Sequence, residues 1–261
     1  VVHIDKQDRI KRIVEIVKAK NGESIKALSE QLGVTEMTIR RDLVHLKASR
    51  LVKVVSGAVV YDGETTAADN PDYYDLSTQR RRRTTEKYRI GKVAASLIEA
   101  DDVVYFDIGT TASQIIQHVP SSLPIVAVCC TMNALFEVRK RKMENIIFIG
   151  GTYHSDVQMF ESKEGIELLN RTRISKAFIS AAGVDGKLGV TCINNYEVYT
   201  KQAAMQGALE KILVLDSSKF DVVKPAFFAR LKDFDAIVTD SQLSSEWQDQ
   251  IEALGIKLYI A

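Results

Sequence analysis

From residue 7 to residue 20 the chain reads QDRIKRIVEIVKAK, with Ile10, Ile13, Val14 and Val17 at helical spacing and charges between them. That period predicts an amphipathic helix with one buried stripe. Asn21-Gly22 stops it, since glycine takes the left-handed conformation that ends helices. Ser24 can cap a second, shorter helix, IKALSEQLG, whose apolar face is Ile25, Leu28 and Leu32. Gly33 gives a sharp turn, and Thr35 caps a third helix, EMTIRRDLVHLKAS, with Ile39, Leu43 and Leu46 facing inward. After Arg50 the pattern changes to that of strands: LVKVVSGAVVY holds two β-branched runs separated by Ser56-Gly57, a small hairpin. Three helices and a hairpin in about 55 residues predict a winged helix-turn-helix, with the hairpin as the wing.

Residues 62–79, DGETTAADNPDYYDLSTQ, are polar, acidic and broken by Pro71, which reads as a linker. From there on, helices and apolar runs alternate. A helix over 85–99 leads into the strand VVYFD (103–107), a glycine turn and a helix through Ile115 and Ile116. IVAVCC (125–130), a helix from Asn133 to Arg141, NIIFIGG (145–151) and a helix over 160–171 follow. ISKAFISAAG (174–183), a helix at 196–208, KILVLDSS (211–218), DAIVTD (235–240), a helix around 244–253 and KLYIA (257–261) complete the series. Short apolar strands between helices predict a mostly parallel α/β sheet covered on both faces. The expected organisation is therefore a DNA-binding type of head over 1–60, a linker over 61–83 and an α/β domain over 84–261.

Composition narrows the classes. Three cysteines, Cys129, Cys130 and Cys192, are too few and too oddly spaced for a disulfide framework or a zinc site. No stretch resembles a signal peptide, and no apolar run approaches the ~18 residues of a membrane span, so a cytoplasmic protein is expected. The net charge of +1 hides an asymmetry. Residues 1–60 carry 12 Lys/Arg against 7 Asp/Glu, and RRRRTTEKYR at 80–89 carries 6 against 1. An acidic body behind a basic front end suits a nucleic-acid partner.

Arg40 and Arg41 cannot both face a core that Ile39 and Leu43 already fill. A helix projecting from a compact three-helix head fits the major groove of duplex DNA, with its amino-terminal half toward the bases. Thr35, Glu36, Thr38 and Arg41 then offer groups to base edges, while Arg40, Lys47 and Lys53 suit phosphates; either arginine can serve either role. For Arg80 to Arg83 three roles stay open: a solvated linker end, a non-specific DNA clamp, or a bridge to acidic patches on a partner subunit.

DIGTTASQI at 107–115 has the order needed to hold an anion: a strand ending in Asp107, a tight turn at Gly109, the hydroxyls of Thr110 and Thr111, then a helix amino terminus. Other strand ends add Asn133, Gly150-Gly151, a loop with Asp185, Gly189 and Thr191, and the segment from Asp216 to Lys219; Lys201 lies on the helix between. Lysines suit a phosphate and carboxylates suit hydroxyls, which points to a small phosphorylated polyol or sugar. No nucleotide loop of the GxxxxGK[ST] or GxGxxG kind occurs, so no cofactor is expected. His3, His45, His118 and His154 show no metal-binding spacing, and no GxSxG elbow is present.

Segment 7–59 resembles the amino-terminal domain of the DeoR-type bacterial transcriptional repressors, through Arg9-Ile10, Leu28-Ser29, Thr38 to Leu43 and Ser56-Gly57-Ala58. The wing departs from that family's usual His-Gly-Gly-Ala. Most of 80–255 resembles the effector domain of the same family, through Lys87, Asp107 to Thr111, Asn133, Gly150-Gly151, Gly183-Val184-Asp185, Lys201, Asp216 to Phe220 and Thr239-Asp240. The resemblance implies a fold like that of ribose-5-phosphate isomerase, a phosphorylated sugar as inducer, release of operator DNA on binding, and a dimer or tetramer. It places Lys87 near the ligand or in a structural salt bridge. Within the family, VCCTMNALF and SAAGVDGKLGVTCIN resemble the pattern of its deoxyribose-operon members, and that resemblance implies deoxyribose 5-phosphate as a candidate effector. The isomerases carry Asp-Gly-Ala-Asp-Glu and a glycine-rich loop with a catalytic glutamate; here only Gly183-Val184-Asp185 survives, which implies a sensor rather than an enzyme. An activator using the same domains, or an isomerase, are the alternatives.

Overall fold

A computed structural model describes residues 6–19, 23–48, 52–55, 58–61 and 83–261. Asn21-Gly22, Ser56-Gly57, the 62–79 segment, Arg80 to Arg82 and the side chains of Lys47 and Lys53 lie outside the described residues. The chain divides into two compact units, Val1–Tyr73 and Tyr74–Ala261.

In the first unit, α1 (Lys6–Ala19), α2 (Ile25–Leu32) and α3 (Glu36–Ala48) bring their apolar stripes together. Ile13, Val17, Leu28, Ile39, Leu43 and Leu46 form one core with Val52 and Val59. Ser24 Oγ accepts the Ala27 N–H at 3.0 Å and Thr35 Oγ1 accepts that of Thr38 at 3.2 Å, so both expected caps are in place. The wing strands β2 (Val52–Val55) and β3 (Ala58–Tyr61) pair antiparallel. An unexpected two-residue strand, β1 (Glu23–Ser24), adds to β3. Two residues carry no alternation for a pattern to reveal.

The second unit is built on a parallel sheet of seven strands: β4 (Val103–Phe106), β5 (Val126–Cys129), β6 (Asn145–Phe148), β9 (Ile174–Ser180), β12 (Ala208–Val214), β14 (Ala236–Thr239) and β15 (Lys257–Ile260). Their spatial order is β15-β14-β12-β9-β4-β5-β6. Alternate residues face opposite layers: Ala177 and Ile179 of β9 enter one core and Phe178 the other. The layer holding Phe178 also takes the apolar faces of α4 (Thr84–Ala95), α5 (Thr110–His118) and α6 (Met132–Lys140). The other takes those of α7 (Lys163–Arg171), α8 (Asn195–Gln206) and α9 (Ser245–Ala253).

Two short antiparallel additions were not legible beforehand. β7 (Thr152–His154) and β8 (Met159–Glu161) form a hairpin, so the helix expected over 160–171 starts only at Lys163, capped by Ser162. The expected loop of Asp185, Gly189 and Thr191 is another hairpin, β10 (Gly183–Asp185) with β11 (Gly189–Cys192), extended by β13 (Ala226–Ala229).

Candidate functional site

The chain runs outward from β4 through β5 to β6, then restarts at β9 on the other side of β4 and runs outward through β12, β14 and β15. Connections therefore diverge between β4 and β9 and leave a crevice beyond their carboxyl ends, the place where open α/β sheets hold ligands. Gly109 turns the chain from β4 into α5 at φ 113°, a conformation open to glycine and strained for other residues. No side chain caps α5. Its first N–H groups and positive end are thus left to whatever occupies the crevice. Gly109, Thr110 and Thr111 line one cavity together with Ser180-Ala181-Ala182 after β9, Asp216 and Lys219 after β12, and Lys87 of α4. A second, polar cavity of about 190 Å³ shares Lys87 and Thr110 and reaches Gln114, Gln117 and Glu137.

Beneath the crevice lies a buried charge cluster. Asp107 Oδ2 accepts the Ser180 N–H at 2.8 Å and a bond from Lys201 Nζ. Lys201 also donates to the Ser180 carbonyl at 3.1 Å and lies 3.9 Å from Glu197. Burial pushes the Lys201 ammonium down, but the charges of Asp107 and Glu197 outweigh it and hold the pKa above the usual lysine range. Burial raises the Glu197 carboxyl, against the pull of Lys201. Lys201 and Glu197 line a small cavity that shares the Ser180–Ala182 segment with the first. Glu197 went unremarked in the sequence although Asn194-x-x-Glu197 is a capping pattern, and the structure closes that box.

Asp216 both lines the crevice and serves the local backbone, accepting the Ser218 N–H at 3.2 Å and the Ser218 hydroxyl. Arg83, the one member of the tetra-arginine run that is described, does not end in solvent. It donates to Ser217 Oγ at 2.7 Å and lies 3.9 Å from Asp216 and 3.8 Å from Asp240, against the carboxyl ends of β12 and β14.

Six of the expected residues line neither crevice cavity: Asp107 and Lys201 of the buried cluster, and Asn133, Gly150, Gly151 and Asp185. Asn133 Nδ2 donates to Ser113 Oγ at 2.7 Å and ties α6 to α5. Gly151, at φ 136°, permits close packing: a Cβ there would lie 2.2 Å from the Glu161 carbonyl oxygen. Gly150 precedes it in the same turn. Asp185 accepts the N–H groups of Lys187 and Leu188, each at 2.8 Å, and these bonds hold its carboxyl below the usual range while closing the β10–β11 turn.

On α3, Arg40 and Arg41 are exposed and Asp42 between helices is buried. Asp42 holds Arg9 of α1 through two contacts, at 2.6 and 3.3 Å. Glu36 lies 3.7 Å from Arg40, and the hydroxyls of Thr35 and Thr38 are 2.9 Å apart. Among the described residues, no group of three His, Cys, Asp or Glu could hold a metal ion, and no helix is long and apolar enough to cross a membrane.

Residues 9–65 match the family described as "DeoR-like helix-turn-helix domain", and residues 82–241 match "DeoR C terminal sensor domain". The "Deoxyribose operon repressor" of Escherichia coli is 34% identical over 253 residues, spanning 97% of this chain and 98% of that protein. The "Lactose phosphotransferase system repressor" of Staphylococcus epidermidis is 28% identical over 253 residues, 96% of this chain and 98% of that one. Among solved structures, ribose 5-phosphate isomerase A from Methanocaldococcus jannaschii aligns at a TM-score of 0.38 and 16% identity, over 51% of this chain and 53% of that chain. That likeness is partial.

Proposed function

This chain belongs to the DeoR family of transcriptional regulators, and on that basis we propose that it represses a carbohydrate catabolic operon and is released from its operator by a phosphorylated sugar. One observation carries the sensor half: the uncapped amino terminus of α5 opens into a crevice that also holds Lys87 and Lys219. Backbone N–H groups, two threonine hydroxyls and two ammonium groups around one opening suit a phosphate. In this reading Gly109, Thr110 and Thr111 hold the phosphate, and Lys87 and Lys219 balance its charge. Asp107 and Lys201 form the floor. Deoxyribose 5-phosphate is the first effector to test, given VCCTMNALF, SAAGVDGKLGVTCIN and the name of the 34% identical relative.

The same crevice argues against catalysis. Aldose–ketose isomerisation needs a base within reach of a C–H proton. Asp107 is buried and bonded to Ser180 and Lys201, while Asp216 is bonded to Ser218 and close to Arg83.

On the operator side, Arg40 and Arg41 with Lys47 and Lys53 engage duplex DNA, and a homo-oligomer pairs two heads on two half-sites. Effector binding then favours an arrangement that no longer fits those half-sites, and by linkage DNA weakens effector binding by the same factor. Fluorescence anisotropy on promoter fragments, with and without a panel of sugar phosphates, tests both halves. Sequence-specific binding that no sugar phosphate alters would remove the sensor role. Lys219→Ala is expected to weaken effector binding by about tenfold to a hundredfold, the worth of a hydrogen bond to a charged group, and to leave operator affinity without effector unchanged. Calorimetric titration and anisotropy read the two effects separately.

A further inference from the structure

The outward face of α3 has an apolar centre. Met37 and Val44 stand seven residues apart, with Arg40 and Arg41 three and four residues after Met37, so all four share one side of the helix. Ile39, Asp42, Leu43 and Leu46 occupy the opposite side and are buried. Met37 is 68% exposed. A single exposed methionine is ordinary on a surface. One at the start of a helix face that carries two guanidinium groups a turn further on has a more specific setting.

The other residues at the start of α3 are engaged locally. The hydroxyls of Thr35 and Thr38 lie 2.9 Å apart, Thr35 also caps the helix, and Glu36 lies 3.7 Å from Arg40. Met37 is the second residue of α3, at the end that a recognition helix turns toward base edges. Major-groove edges present one apolar group, the 5-methyl of thymine. Methionine is long, unbranched and soft enough to fit against it.

Resting on the operator-binding reading above, we propose that Met37 reads a thymine methyl in each operator half-site. Arg40 and Arg41 draw the helix to the DNA, and Met37 distinguishes thymine from cytosine, which lacks the methyl. The contact is apolar, so it contributes sequence preference without adding to the salt dependence that phosphate contacts bring.

The test selects a preferred site from a random pool of duplexes with the full chain, then replaces each thymine of that site in turn by deoxyuridine. That change removes the methyl alone. In each half-site one replacement is expected to weaken binding about threefold to fivefold, the value of burying one methyl-sized group. Met37→Ala should lose a similar factor on the thymine duplex and show no further loss at that position, while Met37→Leu should keep most of the discrimination. Thermal melting equal to the parent chain confirms that an exposed side chain was changed without unfolding the head. If no sequence is enriched, the operator-binding reading fails and this assignment with it. If a sequence is enriched but every methyl is dispensable, or Met37→Ala keeps the same sensitivity to deoxyuridine, the Met37 assignment alone is overturned.

Discussion

Asp107→Ala is expected to destabilise the α/β unit by about 3–5 kcal/mol, because it strands the buried ammonium of Lys201 without its main partner. In a unit of this size such a loss lowers the melting temperature by roughly 6–20 °C. Lys201 is 1% exposed and cannot turn to water without repacking β9 and α8. Glu197, 3.9 Å away, offsets only part of the loss. The pH dependence gives a second reading. In the parent chain the folded pKa of Lys201 is raised, so its contribution is present below the ordinary lysine pKa and is lost only as pH climbs through the higher folded value. Without Asp107 burial dominates and the folded pKa falls below the ordinary one. The unfolded chain then binds more protons, and stability of the variant rises with pH across that gap. The difference from the parent should therefore narrow under alkaline conditions. Asp107→Leu combined with Lys201→Met should recover most of the stability, since an apolar pair of similar volume replaces the ions. Denaturant melts of the parent chain and the two variants between neutral and alkaline pH check all of this. A fully stable Asp107→Ala chain would mean that the cluster is not the floor that supports the crevice.

The expectations that came from the sequence divide along a physical line. Local chemistry was readable: Ser24 and Thr35 cap their helices because a hydroxyl just before an apolar period has few other uses. The parallel sheet was readable because strands buried on both faces form uninterrupted apolar runs, and polar residues crowd where those runs end. Chain order then set the crevice, since the reversal between β4 and β9 puts Gly109 to Thr111 opposite Ser180 to Ala182. What could not be read is which way a polar residue points and what it meets. Asp107, Asp185 and Asp216 are all acids near strand ends. One is neutralised by Lys201, 94 residues later, one closes its own turn, and one lines the crevice while bonding to Ser218. No periodicity encodes a pairing across that separation. Arg83 looked like part of a charge run, yet its partners Ser217 and Asp240 lie far along the chain. The small strands β1, β7, β8, β10 and β13 are two to four residues long, too short for alternation to separate them from loop.

Asp42→Ala is expected to remove about 3 kcal/mol from the DNA-binding head, while its neighbour Arg41→Ala leaves that stability within about 0.5 kcal/mol. TIRRDL thus separates into two physical roles over adjacent positions. Arg40 and Arg41 face outward, and Asp42 faces inward with 1% exposure, bound to Arg9 across the α1–α3 contact. Deleting the carboxylate leaves a guanidinium that is only partly open to water. Its long stem can carry the charge outward, which keeps the cost at the lower end for a broken buried pair. A head of this size is stabilised by only about 3–9 kcal/mol in total, so the loss approaches a third or more of it. Limited proteolysis and hydrogen exchange of α1 and α3 near 37 °C should show the head opening in Asp42→Ala, with the amides of β4, β9 and β12 still protected. Operator binding should fall with the folded fraction and recover on cooling. Arg41→Ala should behave in the opposite way: normal protection, weakened DNA binding at every temperature, and either a lost base preference or a shallower salt dependence according to what it contacts. Arg9→Leu with Asp42→Leu should restore much of the protection, because the two charges are then removed together and an apolar contact takes their place. If Asp42→Ala weakened DNA binding while exchange in α1 stayed at the parent rate, the carboxylate would belong to the DNA contact, and the assignment of Asp42 to the scaffold of the head would have to be given up.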